Sequence, residues 1–157
     1  MSTEFQIKAL NPDILKKVTQ STAVEKGHAK AQWLMVDSFP GYPCRVSLED
    51  ARVGERVLLL CYPYHEVNSP YRAAGPIFIR EHAIMAEPLI NHIPAMLKVR
   101  PQSVRAYDQS GHMLAAEVVV GEDLKPAIIR QLENPHIQYL HLHNAGPGCF
   151  NCTVMRA

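Results

Sequence analysis

The sequence lacks an excess of charge of either sign: 16 basic residues stand against 15 acidic ones, and the formal net charge is +1. Nucleic-acid-binding proteins usually present a concentrated basic surface, so this balance argues against such a partner. No apolar run approaches the length of a membrane span. The N-terminus MSTEFQIKAL has no basic segment followed by an apolar one. We therefore expect neither secretion nor membrane insertion and predict a cytoplasmic location.

The signature motifs of common enzymes are missing as well. The chain has no glycine-rich phosphate loop, no HExxH and no GxSxG, so no catalytic residue is assigned. Of the four cysteines, Cys149 and Cys152 form a CxxC, but no second such pair completes a four-ligand zinc site. If both lie on a strand, their odd spacing also turns the two sulfurs to opposite faces. We expect no bound zinc, no disulfide and no cofactor.

What the sequence does contain is a series of short extended segments. Its twelve prolines argue against a helical bundle. The run VLLLCY at 57–62 has the length of a central strand buried on both faces. The segments around DQSG at 108–111 form the clearest hairpin. Strands are predicted at 5–10, 33–36, 57–62, 76–80, 103–108, 113–120, 137–142 and 149–155.

One substantial helix is predicted, over 123–133. Its inward face consists of Leu124, Ile128, Ile129 and Leu132, and Asp123 is the expected N-cap. A short helix at 12–19 and a polar loop at 21–31 precede the strands, and a longer loop is expected at 63–75. Residues 1–157 therefore read as one α+β domain. We expect a mostly antiparallel, twisted sheet or a partial barrel, with one main helix in the C-terminal half.

The pair Cys44-Arg45 follows a proline-rich turn. A guanidinium beside a thiol lowers the thiol pKa and favours the thiolate nucleophile. The more ordinary arrangement is that Arg45 pairs with Glu49 or Asp50 at the surface while Cys44 packs inward, and we favour it. If one thiol is reactive we expect it to be Cys44, with Cys61 the slowest because it lies in the apolar run. The bases that a reactive Cys44 would need are His65, His82, His141 or His143.

His141 and His143 point to one face of a predicted strand, because residues i and i+2 point the same way. Such a pair suits a metal. No acidic residue on the strand completes a ligand set, so we expect a solvated outer face with Leu142 in the core.

Arginine and tyrosine side chains concentrate around the loop at 63–75. Arginine forks hold carboxylates or phosphates, and tyrosines supply ring surface and a hydroxyl. Tyr64 and Arg100 could contribute to the same pocket. The site is expected where the turn at 43–45 meets this loop, with Arg45 on the anion. The candidate ligand-binding residues are Cys44, Arg45, Tyr62, Tyr71 and Arg72.

Several local patterns together resemble one family. They are YPCR at 42–45, the Gly54 turn, the apolar strand ending at Tyr62, PY at 70–71, GPIF at 75–78, and CFNC at 149–152 with Arg156. The sequence resembles the small bacterial family called domain of unknown function 1203 over nearly its whole length. The resemblance implies a bacterial, single-domain protein, and it implies no activity.

Three functions stay open on the sequence. The first is a domain that binds a small anionic ligand in the loop pocket. The second is a non-catalytic structural or interaction domain, for which a homodimer is one form. The third is a thiol- or metal-dependent enzyme that uses Cys44.

Overall fold

A computed structural model describes residues 3–20 and 31–157, and these form an α+β structure. Two antiparallel sheets hold the strands. The predicted loop at 21–31 falls almost entirely outside the described residues. No helix of the described residues is long and apolar enough to cross a membrane. The elements are β1 (Phe5–Lys8), α1 (Asp13–Gln20), β2 (Gln32–Met35), β3 (Arg56–His65), β4 (Ala73–Arg80), α2 (Ala95–Lys98), β5 (Gln102–Tyr107), β6 (Met113–Val119), α3 (Leu124–Leu132), β7 (Tyr139–Asn144) and β8 (Phe150–Arg156).

The larger sheet has five strands in the order β1-β8-β7-β5-β6. β5 and β6 form the predicted hairpin. Its turn is closed by the Asp108 carboxylate, which accepts backbone hydrogen bonds from Ser110 and His112 at 2.8 and 3.0 Å. These bonds are the side-chain turn chemistry that aspartate offers at such a position, so the hairpin prediction is confirmed.

One face of this sheet lies under α3, and we call it the helix face. Val104, Leu142 and Cys152 are neighbours in register across β5, β7 and β8. All three are 0% exposed, as are Ala106, Leu140 and Val154 in the next row. This face carries the main hydrophobic core, which α3 completes with Leu124, Ala127, Ile128 and Leu132.

The helix predicted over 123–133 corresponds to α3, and the structure differs from the prediction in two details. Ala127 is buried, whereas Ile129 is only half-buried at the edge of the core. Asp123 has helical backbone angles and its side chain makes no capping hydrogen bond. The reason is that a 3-10 turn, Gly121–Asp123, leads directly into α3. The prediction is therefore right about the N-cap position of Asp123, and only the expected capping bond from its side chain is absent.

The smaller sheet has the order β2-β3-β4, so the apolar run at 57–62 does lie on a central strand. Val57, Leu58 and Leu60 are buried, but Cys61 is exposed. Cys61 lines a cavity of about 480 Å³ between α1 and β3. Burial on both faces is thus wrong for Cys61, because the side of β3 that carries Cys61 borders this open cavity.

The strands that flank the predicted loop at 63–75 are longer than expected. β3 continues through Pro63 to His65, with an irregular register between Tyr62 and His65. β4 begins at Ala73 and contains Pro76. Proline is tolerated at bulges and on edge strands, and β4 is an edge strand. The loop therefore shrinks to residues 66–72.

This shorter loop rests on the turn of the β5–β6 hairpin. The Ser69 hydroxyl donates to the Gly111 carbonyl at 2.9 Å. Gly111 has φ +79°, and a Cβ at this position would stand 2.7 Å from the Cβ of Val67. Glycine is therefore needed at 111 both for its backbone angle and for the close approach of Val67.

Candidate functional site

The candidate site lies on the other face of the five-stranded sheet, which we call the polar face. The strand register places three rows of side chains on it. Ser103 on β5 is opposite His143, Arg105 is opposite His141, and Tyr107 is opposite Tyr139. Polar side chains at these alternate positions are normally solvated. Here the smaller sheet covers part of the face, and Tyr107, His141 and His143 are buried.

The buried side chains form a contiguous group of rings, which we call the histidine–tyrosine cluster. Tyr64 of β3 stacks on Phe150 with a centroid distance of 5.3 Å and meets His143 edge-on at 4.9 Å. His65 lies 5.0 Å from His141, ring centre to ring centre. The cluster consists of Tyr64, His65, Tyr107, Tyr139, His141, His143 and Phe150.

Both ring nitrogens of His65 are hydrogen-bonded, and the bond to Tyr139 joins the two sheets. Nδ1 lies 2.8 Å from the carbonyl oxygen of Tyr71, which can only accept, so Nδ1 carries the hydrogen. Nε2 of a neutral ring is then an acceptor, and the Tyr139 hydroxyl donates to it at 2.6 Å. The Tyr71 carbonyl thus fixes the tautomer of His65 and, through it, the orientation of the Tyr139 hydroxyl.

His143 is held in the same way but at one nitrogen only. Its Nδ1 donates to the Gly148 carbonyl at 2.9 Å, which leaves Nε2 as an acceptor. Neither Nε2 of His143 nor Nδ1 of His141 has a hydrogen-bond partner among the described residues. Burial lowers the pKa of His141 to about 3 and that of His143 to about 4, so both rings are neutral near pH 7. The expectation of a solvated histidine face is wrong, because β3 lies over it.

Arg45 is also buried, with 1% of its surface exposed. Its Nε donates to the Phe150 carbonyl at 2.7 Å and its Nη1 to the Pro43 carbonyl. No carboxylate of the described residues pairs with it. Burial lowers its pKa to about 10. The expected surface pair with Glu49 or Asp50 is wrong.

The thiols are arranged differently from the prediction. Cys44 is 0% exposed, and its sulfur accepts backbone hydrogen bonds from Ser47 and Arg80 at 3.4 and 3.3 Å. Cys44 therefore packs inward as favoured, and this burial argues against its expected role as the most reactive thiol. Burial raises the pKa of the Cys152 thiol well above its usual range. Cys61 is exposed and Cys149 is half-buried.

The remaining predicted site residues lie in two places. The Tyr62 ring is half-buried, 6.3 Å from the ring of Phe150, whose carbonyl binds Arg45. Tyr71 is 41% exposed, and its ring lies 6.4 Å from that of Tyr107. Arg72 is exposed on the loop. The described contacts link Tyr62 to Arg45 through Phe150, and they do not link Arg45 to Arg72.

No group of three or more histidine, cysteine, aspartate or glutamate side chains is arranged to hold a metal ion in the described part of the chain. A cavity of about 690 Å³ lies elsewhere, between the segments 47–52 and 86–99. Asp50 reaches it and is held by Arg100 through two hydrogen bonds of 2.7 and 3.1 Å. This cavity contains none of the residues predicted for the site.

The sequence reasoning missed Arg105, Tyr107 and Tyr139. For Arg105 and Tyr107 the sequence does contain a signal, because Ser-Val-Arg-Ala-Tyr at 103–107 alternates small or polar residues with apolar ones. The residues that share a face with Arg105 and Tyr107 could thus be predicted from this alternation. The smaller sheet that packs on this face, and leaves Tyr107 only 3% exposed, could not be predicted from it.

Fold and site together define an α+β protein in which a second sheet buries a polar layer of imidazole, phenol and guanidinium groups. A family model described as "Protein of unknown function (DUF1203)" matches residues 41–156. The chain belongs to this family, as its resemblance implied. No curated protein and no solved structure matches the chain.

Proposed function

We propose that this protein binds a small anionic ligand, a carboxylate or a phosphate, through the Arg45 guanidinium. The observation that carries the proposal is a buried positive charge without a carboxylate partner among the described residues. A pKa of about 10 keeps Arg45 charged near neutral pH. Burying an unpaired charge is costly, so an anion at this position would be stabilising.

Arg100 provides a comparison within the same molecule. Its two terminal nitrogens hold both oxygens of Asp50, whose side chain is 4% exposed. Arg45 instead donates from Nε and Nη1 to two backbone carbonyls, and no described residue accepts a hydrogen bond from its Nη2. Carboxylates and phosphates are the groups that a guanidinium fork holds best. Two partly exposed side chains would border such a ligand: Cys149 directly precedes Phe150, whose carbonyl accepts from Arg45, and the Tyr62 ring lies 6.3 Å from the Phe150 ring.

The competing explanation is that Arg45 only fastens two backbone segments together. Anion titration of the wild type and of Arg45→Lys separates the two, because lysine keeps the charge and loses the fork. At 100 times the dissociation constant, a ligand should stabilise the wild type by about 2.7 kcal/mol, or roughly 5–10 °C in melting temperature. Acetate, succinate, phosphate and sulfate form the first panel.

The measured quantity is the change in melting temperature that the ligand causes in each variant. A lower melting temperature of Arg45→Lys without ligand therefore does not affect the result. Arg56→Met is the control, because Arg56 is a surface arginine paired with Glu81. Anion stabilisation that is lost in Arg45→Lys and kept in Arg56→Met supports the proposal. If no anion stabilises the wild type, or both variants respond as it does, Arg45 is a structural residue.

A thiol function is the second candidate, and we now assign it to Cys149 rather than to Cys44. Cys149 is half-buried and directly precedes Phe150, whose carbonyl holds Arg45. A guanidinium near a partly exposed thiol is the arrangement that favours a nucleophilic cysteine. The rate at which iodoacetamide alkylates Cys149 should then fall when an anion is bound to Arg45. A rate that is the same with and without the anion would leave Cys149 outside the site.

Two further parts of the sequence reading stay predictions. These are the cytoplasmic location and the lack of a nucleic-acid partner. Cell fractionation and a salt-dependent retention assay on immobilised DNA test them directly.

A further inference from the structure

We infer a second ligand-binding surface, for small amphipathic anions, on the uncovered part of the polar face. This surface, which we call the open face, combines Arg105 and Ser103 of β5 with an apolar stripe on β6. It uses a different arginine from the site proposed at Arg45, and its argument is independent of that proposal.

The apolar stripe comes from the alternation of β6. Residues 116 and 118 share a face, and the register places Val118 beside Ser103 and Ala116 beside Arg105, whereas Leu114 lies at the irregularity of this register. Leu114 is 47% exposed and Val118 is 63% exposed. β6 is the edge of the sheet, and no described strand lies on its outer side. Glu117, the charged residue of this strand, points to the helix face, where Arg130 binds it.

Arg105 stands at the inner end of the stripe, between Ala116 and His141 in register. It is half-buried. Its Nε donates to the Ser103 hydroxyl at 3.2 Å. No carboxylate of the described residues pairs with it. A cation bordered by apolar surface on one side is complementary to a negative headgroup that carries an apolar chain.

His141 supplies a second, independent indication of a ligand. Its side chain is in register with Arg105 on the same face and is 3% exposed, and its Nδ1 has no partner among the described residues. Buried polar atoms are normally hydrogen-bonded, and each exception calls for an explanation. His141 lies beneath β3 and Arg105 is half-buried beside it in register, so the two adjoin at the border of the covered area. A headgroup that reaches past Arg105 would meet this imidazole, and an N–H at Nδ1 can donate to a carboxylate oxygen.

A second copy of the chain fits the open face less well than a small anion. Edge-to-edge pairing at β6 would extend the sheet and leave its faces as exposed as before. Face-to-face packing around a two-fold axis would bury Arg105 from both copies without a counter-charge. An amphipathic carboxylate meets all three features at once: the cation, the unpartnered imidazole and the apolar stripe.

Calorimetric titration with sodium decanoate, below its micelle concentration, tests the inference. Acetate lacks the chain and decanol lacks the charge, so each should bind at least about tenfold more weakly than decanoate. Equal binding of decanol and decanoate would show that Arg105 plays no part. Absence of saturable decanoate binding would overturn the inference outright.

Two variants locate the site, and each has a matched control. Arg105→Gln should weaken decanoate binding about tenfold and Val118→Ser about threefold. Arg130→Gln removes an exposed arginine on the helix face, and Val99→Ser alters a valine that is 61% exposed elsewhere. Both controls should change binding by less than about twofold. Equal losses in the variants and their controls would contradict the assignment.

The other occupants give different results. A dimer in sedimentation velocity that Val118→Ser dissociates would reassign the open face to a second copy. Binding to anionic vesicles without binding to free decanoate would reassign it to a membrane surface. Because the site proposed at Arg45 would also take carboxylates, the titrations are repeated in Arg45→Lys, where the decanoate binding that depends on Arg105 should remain. The two anion sites then succeed or fail separately.

Discussion

The two faces of the five-stranded sheet are both largely buried, yet by different means. On the helix face, apolar side chains such as Val104 and Leu142 are 0% exposed beneath α3. On the polar face, His141 and His143 are 3% and 0% exposed beneath β3. The helix face therefore gains stability from apolar burial. The polar face must satisfy each buried polar atom, and two of its imidazole nitrogens have no described partner.

The comparison teaches that alternation along a strand predicts which side chains share a face, but does not predict whether that face is buried or exposed. The same alternation that placed Leu142 in the core placed His141 and His143 opposite it. A polar face is exposed or buried according to what packs on it. The following experiments perturb one face while the other serves as reference, from the largest expected effect to the smallest.

Acid should affect the polar face most. The folded-state pKa values of His141 and His143, about 3 and 4, lie below the unfolded value of about 6.5. The unfolded chain therefore binds protons that the folded chain does not. The stability that depends on neutral rings is complete above pH 6.5 and is lost as the pH falls. By pH 4 the loss should reach about 3 kcal/mol for each ring, measured by urea unfolding at a series of pH values.

His141→Leu isolates this effect from the titration of carboxylates. Leucine cannot be protonated, so the variant should lose less stability than the wild type between pH 6.5 and 4. His82→Leu is the control, because the His82 side chain is 89% exposed. If His141→Leu and the wild type follow the same pH profile, His141 is not the buried neutral base described here.

Truncating a core side chain on the helix face should have the next largest effect on stability. Ile128 is 0% exposed at the centre of the main core. Ile128→Ala should lower the free energy of unfolding by about 2–5 kcal/mol, from lost burial and the cavity left behind. Val118→Ala on the open face should change it by less than about 0.5 kcal/mol. Urea unfolding measures both, and a loss at Ile128 below this range would mean that α3 is peripheral to the core.

The thiols give a kinetic comparison of buried and exposed positions. Timed alkylation with mass spectrometry should label Cys61 first and Cys149 second. Cys44 and Cys152 should react at least about tenfold more slowly, because thiolates form poorly in buried apolar surroundings. Early labelling of Cys44 would contradict its burial beneath Ser47 and Arg80. Elemental analysis of the same protein tests the sequence prediction of no bound zinc.

The smallest effect is expected at the exposed edge of the helix face. Arg130 forms an ion pair of 2.7 Å with Glu117, and its side chain is 58% exposed. Such pairs contribute little, so Arg130→Gln should cost less than about 1 kcal/mol. The difference from wild type should shrink further in 1 M salt. A larger, salt-independent loss would mean that Arg130 packs against the core through its stem.

Much of the fold could be predicted because it depends on local patterns. The 108–111 turn carries its own hydrogen-bonding side chain, and the apolar positions of α3 repeat at helical spacing. The misplaced features are those that depend on distant packing. Cys61 looked buried because its neighbours are apolar, yet β3 presents it to a cavity beside α1.

The candidate site was less predictable for the same reason. Arg45 and Tyr62 were singled out by residue type, and they do lie near each other around Phe150. Arg72 was chosen as an arginine on the predicted loop at 63–75, and the loop that holds it instead contacts the hairpin turn at 108–111 through Val67 and Ser69. Burial of Arg45 without a carboxylate depends on which chain segments meet around it, which no local pattern encodes.

The contact between Val67 and Gly111 has a consequence for how this family can vary. The two positions lie 44 residues apart in sequence and occupy almost the same space, since a Cβ at 111 would stand 2.7 Å from that of Val67. A side chain at 111 thus requires both a left-handed backbone and a retreat of the 66–72 loop. Relatives that carry asparagine at the position of Gly111 should therefore carry glycine in place of Val67, or a loop of different length, since alanine would keep the Cβ that stands too close. An alignment of family members in which these two positions vary independently would show that loop and hairpin are not fitted to each other.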